Sequence, residues 1–232
     1  PSSITSIGKS FFNRCSSLTH IQIPSSVTSI GWCAFDECKS LKQISIPSSV
    51  TSIGNYAFNG CKSLNEISIS SSVISIGNYS FSGCSSLKQI SIPSFVKSIG
   101  EHIFNNCERL KQIIINQFKE KNIELFDDKL LIYKSTITNE LYDSIVWCKP
   151  TVIEIKVPSF IKNIGNYAFS GCTLLKQISF ENPSSVTKIG NYAFDRCSSL
   201  TQISIPSSVK SIGTNSFYEC TSLTQISIPS SL

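Results

Sequence analysis

A 23-residue unit recurs along almost the whole chain, and the copy from 47 to 69 shows it in full: PSSVTSIGNYAFNGCKSLNEISI. Glycine marks the register at Gly8, Gly31, Gly54, Gly77 and Gly100, and again at Gly165, Gly190 and Gly213. A cysteine follows seven residues after each: Cys15, Cys38, Cys61, Cys84, Cys107, Cys172, Cys197 and Cys220. A fixed period of this length belongs to solenoids, in which each unit packs only on its neighbours. The repeat therefore overrides the two-domain expectation that 232 residues would otherwise raise. Near-identical units are poorly suited to holding a unique catalytic constellation, but they build a long, regular surface.

Aligned copies give columns. An aliphatic residue stands three after the proline position (Val27, Val50, Val73, Val186, Val209), and Ile stands just before the glycine. Phe stands four after the glycine (Phe12, Phe35, Phe58, Phe81, Phe104, Phe169, Phe194, Phe217). The unit closes on Cys-x-x-Leu-x-x-Ile-x-Ile, as at Cys84, Leu87, Ile90 and Ile92. The Ile-x-Ile stretch is short, β-branched and alternating, which predicts a strand with Ile inward and its neighbours outward. Proline then ends the strand because it has no N–H for the ladder. The glycine is expected to supply either a positive-φ turn or a close backbone approach. The Leu, Ile and Phe columns are expected to stack into one continuous core.

The string IPSSV-x-x-IG-x-x-AF-x-x-C-x-x-L-x-x-I closely resembles the BspA-like leucine-rich repeat family of the 23-residue type. Eight units carry it, over at least 180 residues. The resemblance implies a leucine-rich-repeat solenoid with a parallel β-sheet on one face and short irregular or helical turns on the other. It also implies a cell-surface location in bacteria or protozoa, adhesion to host cells or matrix proteins for several members, and no catalytic residues. Other members are cytosolic or unassigned. Two departures stand out: the middle of the chain loses the pattern, and neither end has a capping sequence. Both ends fall in the same repeat phase, which reads as part of a longer array. The whole chain, 1–232, is expected to form a single solenoid with regular repeats at 1–115 and 158–232 and a degenerate segment at 116–157.

The outward strand positions form two polar ladders. One holds His20, Gln43, Glu66, Gln89, Gln112, Gln177, Gln202 and Gln225; the other holds Gln22, Ser45, Ser68, Ser91, Ile114, Ser179, Ser204 and Ser227. They make a hydrogen-bonding surface for a protein or glycan partner, or else merely bond to their own neighbours along the stack. The regular columns lack the aromatic and arginine anchors that specific interfaces use. In the degenerate segment 13 of 42 residues are charged, against 22 of the other 190, so individuality concentrates there. It holds Phe118, Phe126, Tyr133, Tyr142 and Trp147, and Glu154 and Lys156 replace the Gln/Ser pair on the strand face. Val152, Ile155, Val157 and Pro158 fit the strand pattern; 144–148 stands roughly where Ala-Phe-x-x-Cys belongs; 129–133 reads as a further strand. Irregular segments of compact arrays often carry function. The partner-binding candidates are thus Gln89, Ser91, Gln112, Ile114, Tyr142, Trp147, Glu154, Lys156, Gln177 and Ser179.

Other chemistry finds little support. Eight of the ten cysteines occupy the leucine-rich-repeat position where a small buried side chain closes the turn. Bridges between adjacent turns are the alternative. There is no Cys-x-x-Cys, and Cys33 with Cys38 has no histidine nearby, so no metal site is expected. His20 and His102 each replace a repeat residue and have no unique partner, which argues against triad chemistry. Asp127 and Asp128 are too few for a calcium loop. GNYAF lacks the lysine and glycine spacing of a phosphate loop. Asn78 opens a nominal glycosylation sequon. Trp32 sits in a column of polar residues and is either a contact point or lies over the turn of Cys33. Tyr56, Tyr79, Tyr167 and Tyr192 line the neighbouring column and are expected to pack on the outer side.

The net charge of +5 comes from scattered lysines, which disfavours nucleic acid. No run reaches the roughly 18 apolar residues of a membrane span, and no basic-then-apolar leader opens the chain. These readings converge on a non-enzymatic protein-binding solenoid without cofactor. Surface adhesion is what the resemblance implies. An intracellular scaffold docking a signalling protein suits the many thiols, and an end-to-end structural spacer is the third reading.

Overall fold

A computed structural model of the chain describes residues 3–93, 96–116, 123–134, 142–230 and 232. It forms two compact units, Pro1–Glu124 and Leu125–Leu232. Among the described residues there is no helix, and none is long and apolar enough to cross a membrane.

The first unit holds β1 (Ser6–Ile7), β2 (Ser29–Ile30), β3 (Gln43–Ser45), β4 (Ser52–Ile53), β5 (Glu66–Ser68), β6 (Ser75–Ile76), β7 (Gln89–Pro93), β8 (Ser98–Ile99) and β9 (Gln112–Asn116). The strands expected at Ile-x-Ile appear as β3, β5, β7 and β9, paired in parallel as β3 with β5 and β7 with β9, while the copy at Ile21–Ile23 forms no strand. A second parallel ladder runs β1-β2-β4-β6-β8 through the Ser-Ile dipeptide before each glycine. The irregular or helical turns expected on that side are thus partly a narrow sheet. Two residues per copy suffice, because each need only pair with its own copy one turn away, Ser29 with Ser52 and Ile30 with Ile53.

The unit boundary falls within β10 (Ile123–Phe126), and the second unit continues with β11 (Leu130–Tyr133) and β12 (Ser144–Cys148). It continues through β13 (Glu154–Val157), β14 (Asn163–Ile164), β15 (Gln177–Phe180), β16 (Lys188–Ile189), β17 (Gln202–Ser204), β18 (Ser211–Ile212) and β19 (Gln225–Ser227). The broad strands stack in parallel as β13-β15-β17-β19, and the narrow ones as β12-β14-β16-β18. The strand expected at 129–133 is present as β11, antiparallel to β12. The segment 144–148 departs from its expected place. Ser144 pairs with Asn163 and Ile145 with Ile164, so it joins the Ser-Ile ladder and not the Ala-Phe-x-x-Cys turn. Cys148 still does part of the turn's work, since its carbonyl accepts the Cys172 thiol at 3.8 Å.

The core follows the columns. Val50, Phe58, Cys61 and Leu64 are fully buried in the first unit, as are Phe169, Cys172, Leu175 and Val186 in the second. Stacking is direct: Phe35 to Phe58 is 5.2 Å between ring centroids at 4°, and Phe169 to Phe194 is 5.0 Å at 20°. Each buried Leu, Ile or Phe contributes about 1.5–3 kcal/mol, which a turn gains only when a neighbour covers it. All ten cysteines are free thiols. The column thiols donate one turn back to the phenylalanine carbonyl: Cys61 to Phe35 at 3.2 Å, Cys84 to Phe58 at 3.3 Å, Cys197 to Phe169 at 3.2 Å. Burial lifts the Cys38 thiol to about 11 and that of Cys107 to about 12, so both stay protonated donors. The second serine of Pro-Ser-Ser acts likewise, Ser49 to the Val27 carbonyl at 2.6 Å and Ser72 to that of Val50 at 2.8 Å.

Of the two roles foreseen for the glycine column, close approach is the one observed. A Cβ on Gly54 would lie 2.7 Å from the Gly31 carbonyl carbon and 2.8 Å from the Trp32 nitrogen. The positive φ falls elsewhere, two and six residues on, at Tyr56 (57°) and Gly60 (67°) and their equivalents. This geometry lets N–H groups alternate in direction. Tyr56, Phe58 and Gly60 donate to Asn78, Ser80 and Ser82 of the next turn, while Ala57 and Asn59 donate locally to Gly54 and Tyr56.

The tyrosines pack as a column, Tyr56 on Tyr79 at 4.6 Å and Tyr79 on His102 at 4.2 Å. His102 is buried, and desolvation lowers its pKa to about 4 despite Glu101 pulling the other way. The fold therefore favours the neutral ring. Its contribution is fully present above the free value near 6.5 and is lost as pH falls toward about 4. Allowing for solvent screening on its open side, the loss is expected to reach about 1–2 kcal/mol. Thermal melts at pH 7 and 4.5 should show a smaller drop in His102→Tyr than in the parent, and equal drops would exclude the assignment.

Candidate functional site

The broad-strand face is built by alternation. Inner strands turn their central Ile into the core and leave the flanking pair outside, as in the exposed–buried–exposed sequence Gln202, Ile203, Ser204, whereas in β19 Ile226 is 38% exposed. Parallel pairing then aligns like with like. Glu154, Gln177, Gln202 and Gln225 form one row. Lys156 lies beside Ser179, and Ser204 beside Ser227. In the first unit Gln43 faces Glu66, Gln89 faces Gln112, and Ser91 faces Ile114, which is 40% exposed.

In the second unit the Gln and Ser rows do not satisfy themselves. Among the described residues, the side chains of Gln177, Ser179, Gln202, Ser204, Gln225 and Ser227 make no hydrogen bond within the protein, so these six do not bond along the stack. An amide or hydroxyl that points outward and is uncommitted is free to meet a partner. The asparagine column behaves oppositely. Asn55 Oδ1 accepts the Asn78 N–H at 2.8 Å, and Asn78 Oδ1 accepts the Glu101 N–H at 2.9 Å. Asparagine there is structural, and the Asn78 sequon already has its amide oxygen engaged.

The other candidates separate. Trp147 is buried, 7% exposed, opposite Leu131 in the β11–β12 hairpin. Its indole is therefore part of the packing and not a surface anchor. The reason is that β12 is covered on both faces, so the alternation that exposes every second residue elsewhere fails there. Tyr142 is half-buried against the core, with Lys134 Nζ 5.4 Å from its ring. Glu154 and Lys156 are exposed as expected. Phe126 packs edge-on to Phe160 at 5.7 Å, and Phe118 lies outside the described residues. Trp32 is 45% exposed, with Lys9 Nζ 4.0 Å over its ring.

On this face of the second unit, two of the expected residues, Gln177 and Ser179, lie in a groove whose side wall the repeat pattern does not contain. This groove of about 680 Å³ has Gln177, Ser179, Gln202, Ser204, Gln225 and Ser227 along its floor and Phe180 to Ser184 along its side. The wall comes from two extra residues: Gly165 and Gly190 lie 25 apart, not 23. That spacing was the available signal. The extra residues follow the strand end, where Val157 pairs with Phe180 and the Glu181 N–H reaches the Val157 carbonyl at 3.0 Å. The chain then turns outward through a cis Asn182–Pro183 bond. Ser159 N–H donates to Glu181 Oε2 at 2.8 Å and holds that carboxyl below its ordinary range. Lys156 Nζ stands 3.9 Å from Glu181 Oε1. A groove of about 620 Å³ on the first unit runs over His20, Gln22, Gln43, Ser45, Glu66 and Ser68 without such an insertion.

The chain matches the BspA type leucine rich repeat region, in six copies, over residues 5–132 and 136–232, and it belongs to that family. A leucine rich cell surface protein from Faecalibacterium prausnitzii is 26% identical, with 98% of this chain and 77% of that one covered at a TM-score of 0.65. A leucine-rich repeat protein from Bacteroides ovatus is 30% identical over 100% of this chain and 66% of that one, TM-score 0.55. One from Eubacterium ventriosum is 26% identical over 90% and 60%, TM-score 0.71. The chain thus spans between 60% and 77% of the length of these structures. Among curated proteins none matches.

Proposed function

We propose that the chain is a non-catalytic binding solenoid displayed at a cell surface, holding a protein partner on its broad-strand face. The observation that carries this reading is that the side chains of Gln177, Ser179, Gln202, Ser204, Gln225 and Ser227 are uncommitted, set against the self-bonded asparagine column. Repetition spreads such contacts over many turns, which suits adhesion to an extended host or matrix protein. The surface location draws on the similarity to a protein described as a leucine rich cell surface protein. Antibody labelling of intact and permeabilised cells tests it. Signal on intact cells is expected.

The ten free thiols favour a second reading, an intracellular scaffold docking a signalling protein; signal only after permeabilisation would select it.

Within the face, Glu154 and Lys156 break the Gln/Ser uniformity and supply discrimination. Converting them to the repeat's own residues, Glu154→Gln with Lys156→Ser, should weaken capture on immobilised extracellular-matrix proteins about tenfold. The melting temperature should hold, because the exposed Lys156–Glu181 pair is worth no more than about 1 kcal/mol. Unchanged capture would remove these two residues from the site.

A further inference from the structure

The groove bounded by Phe180 to Ser184 has a chemistry that the rest of the face lacks. Its floor presents three Gln/Ser pairs, each side chain able both to donate and to accept, none engaged within the protein, and none formally charged. A charged ligand would surrender hydration there without gaining an ion pair. The one ion pair at the rim, Lys156 with Glu181, is already closed on itself. An extended peptide seeks the N–H and C=O groups of a sheet edge, whereas this is a sheet face whose backbone is paired within the stack. Phe180 stands where the regular copies place a buried isoleucine such as Ile205, and it is half-exposed along the groove. An aromatic ring beside amides and hydroxyls meets a molecule that is apolar on one side and hydroxylated on the other. Finally, the floor repeats at the spacing of neighbouring strands, about 4.8 Å, and an extended 1,4-linked hexose chain advances by nearly that distance per sugar.

We propose that this groove binds one strand of a neutral oligosaccharide, laid across β15, β17 and β19 with a sugar over each Gln/Ser pair and the Phe180–Pro183 insertion as its side wall. The inference rests on the reading that the broad-strand face is the binding face, and it adds the ligand class for one part of it.

The test is calorimetric titration of the full chain with cello- and chito-oligosaccharides of two to four sugars. Affinity is expected to rise from the disaccharide to the tetrasaccharide. Deleting Glu181 and Asn182 restores the 23-residue spacing and removes the wall; it should weaken tetrasaccharide binding about tenfold or more. Because that deletion could disturb β15, Gln202→Ala with Ser204→Ala serves as a second variant. It changes only exposed side chains and should produce a similar loss with an unchanged melt. Binding that survives both variants, or no binding of either tetrasaccharide at millimolar concentration, overturns the proposal. Matrix-protein capture measured in parallel on the parent chain separates the two readings: capture with no sugar binding leaves the protein-binding face standing, and neither capture nor sugar binding removes it.

Discussion

Phe58→Ala is expected to lower the unfolding free energy by about 3–5 kcal/mol. Phe58 is fully buried, stacked between Phe35 at 5.2 Å and Phe81 at 5.6 Å. Neither neighbour can close the gap, because each is held at the spacing its own turn dictates. The cavity therefore stays open, and two aromatic contacts are lost with the buried area. Since each turn is covered only by its neighbours, the damage should concentrate there. Amide hydrogen exchange is expected to accelerate at Phe35, Ala57 and Cys61 well before it does at Phe194. A melt and exchange pattern matching the parent would show that the phenylalanine column is not what holds the turns together.

Gly54→Ala should be as damaging although it adds a single carbon. The new Cβ would sit 2.7 Å from the Gly31 carbonyl carbon and 2.8 Å from the Trp32 nitrogen. Those atoms belong to backbone paired in the narrow ladder, so relief requires parting two turns. A cost of at least about 3 kcal/mol is expected. The same change at Gly8, where nothing lies within 4 Å of the added atom, should fall within about 0.5 kcal/mol of the parent. Measured by urea unfolding, similar small costs at both positions would mean that the stack tolerates a wider spacing than the structure shows.

The broad strands, the core columns and the outward ladders were all legible because they depend on period alone. An Ile that recurs every 23 residues between two polar neighbours has few other places to go. The narrow ladder was hidden for the opposite reason: two residues, Ser and Ile, are too short to display an alternation, and only the stacking of turns makes them a sheet. The glycine column left two roles open, and only close approach is realised there; the left-handed backbone falls on Tyr56 and Tyr79, stacked on each other, which period alone does not reveal. Trp147 was assigned to the surface because an aromatic residue in a charged segment looks exposed. The hairpin that buries it depends on antiparallel pairing with Leu131, which no repeat pattern encodes. At the candidate site, the Gln and Ser rows could be read off, but not their freedom from one another. That freedom follows from side-chain reach, which an alignment of copies does not contain.

The turn hydrogen bonds that join one regular copy to the next recur from junction to junction, as from Phe35 to Ala57, from Phe58 to Ser80 and from Phe194 to Ser216. Unequal recombination between any two such copies would add or remove a whole turn and leave every joint sound. Reach could thus vary among descendants of one gene at little cost in folding. The 25-residue spacing between Gly165 and Gly190 is not interchangeable in this way. A crossover that discarded it would return a well-folded chain with a smooth face, so its presence in natural variants of differing length would itself be a record of selection.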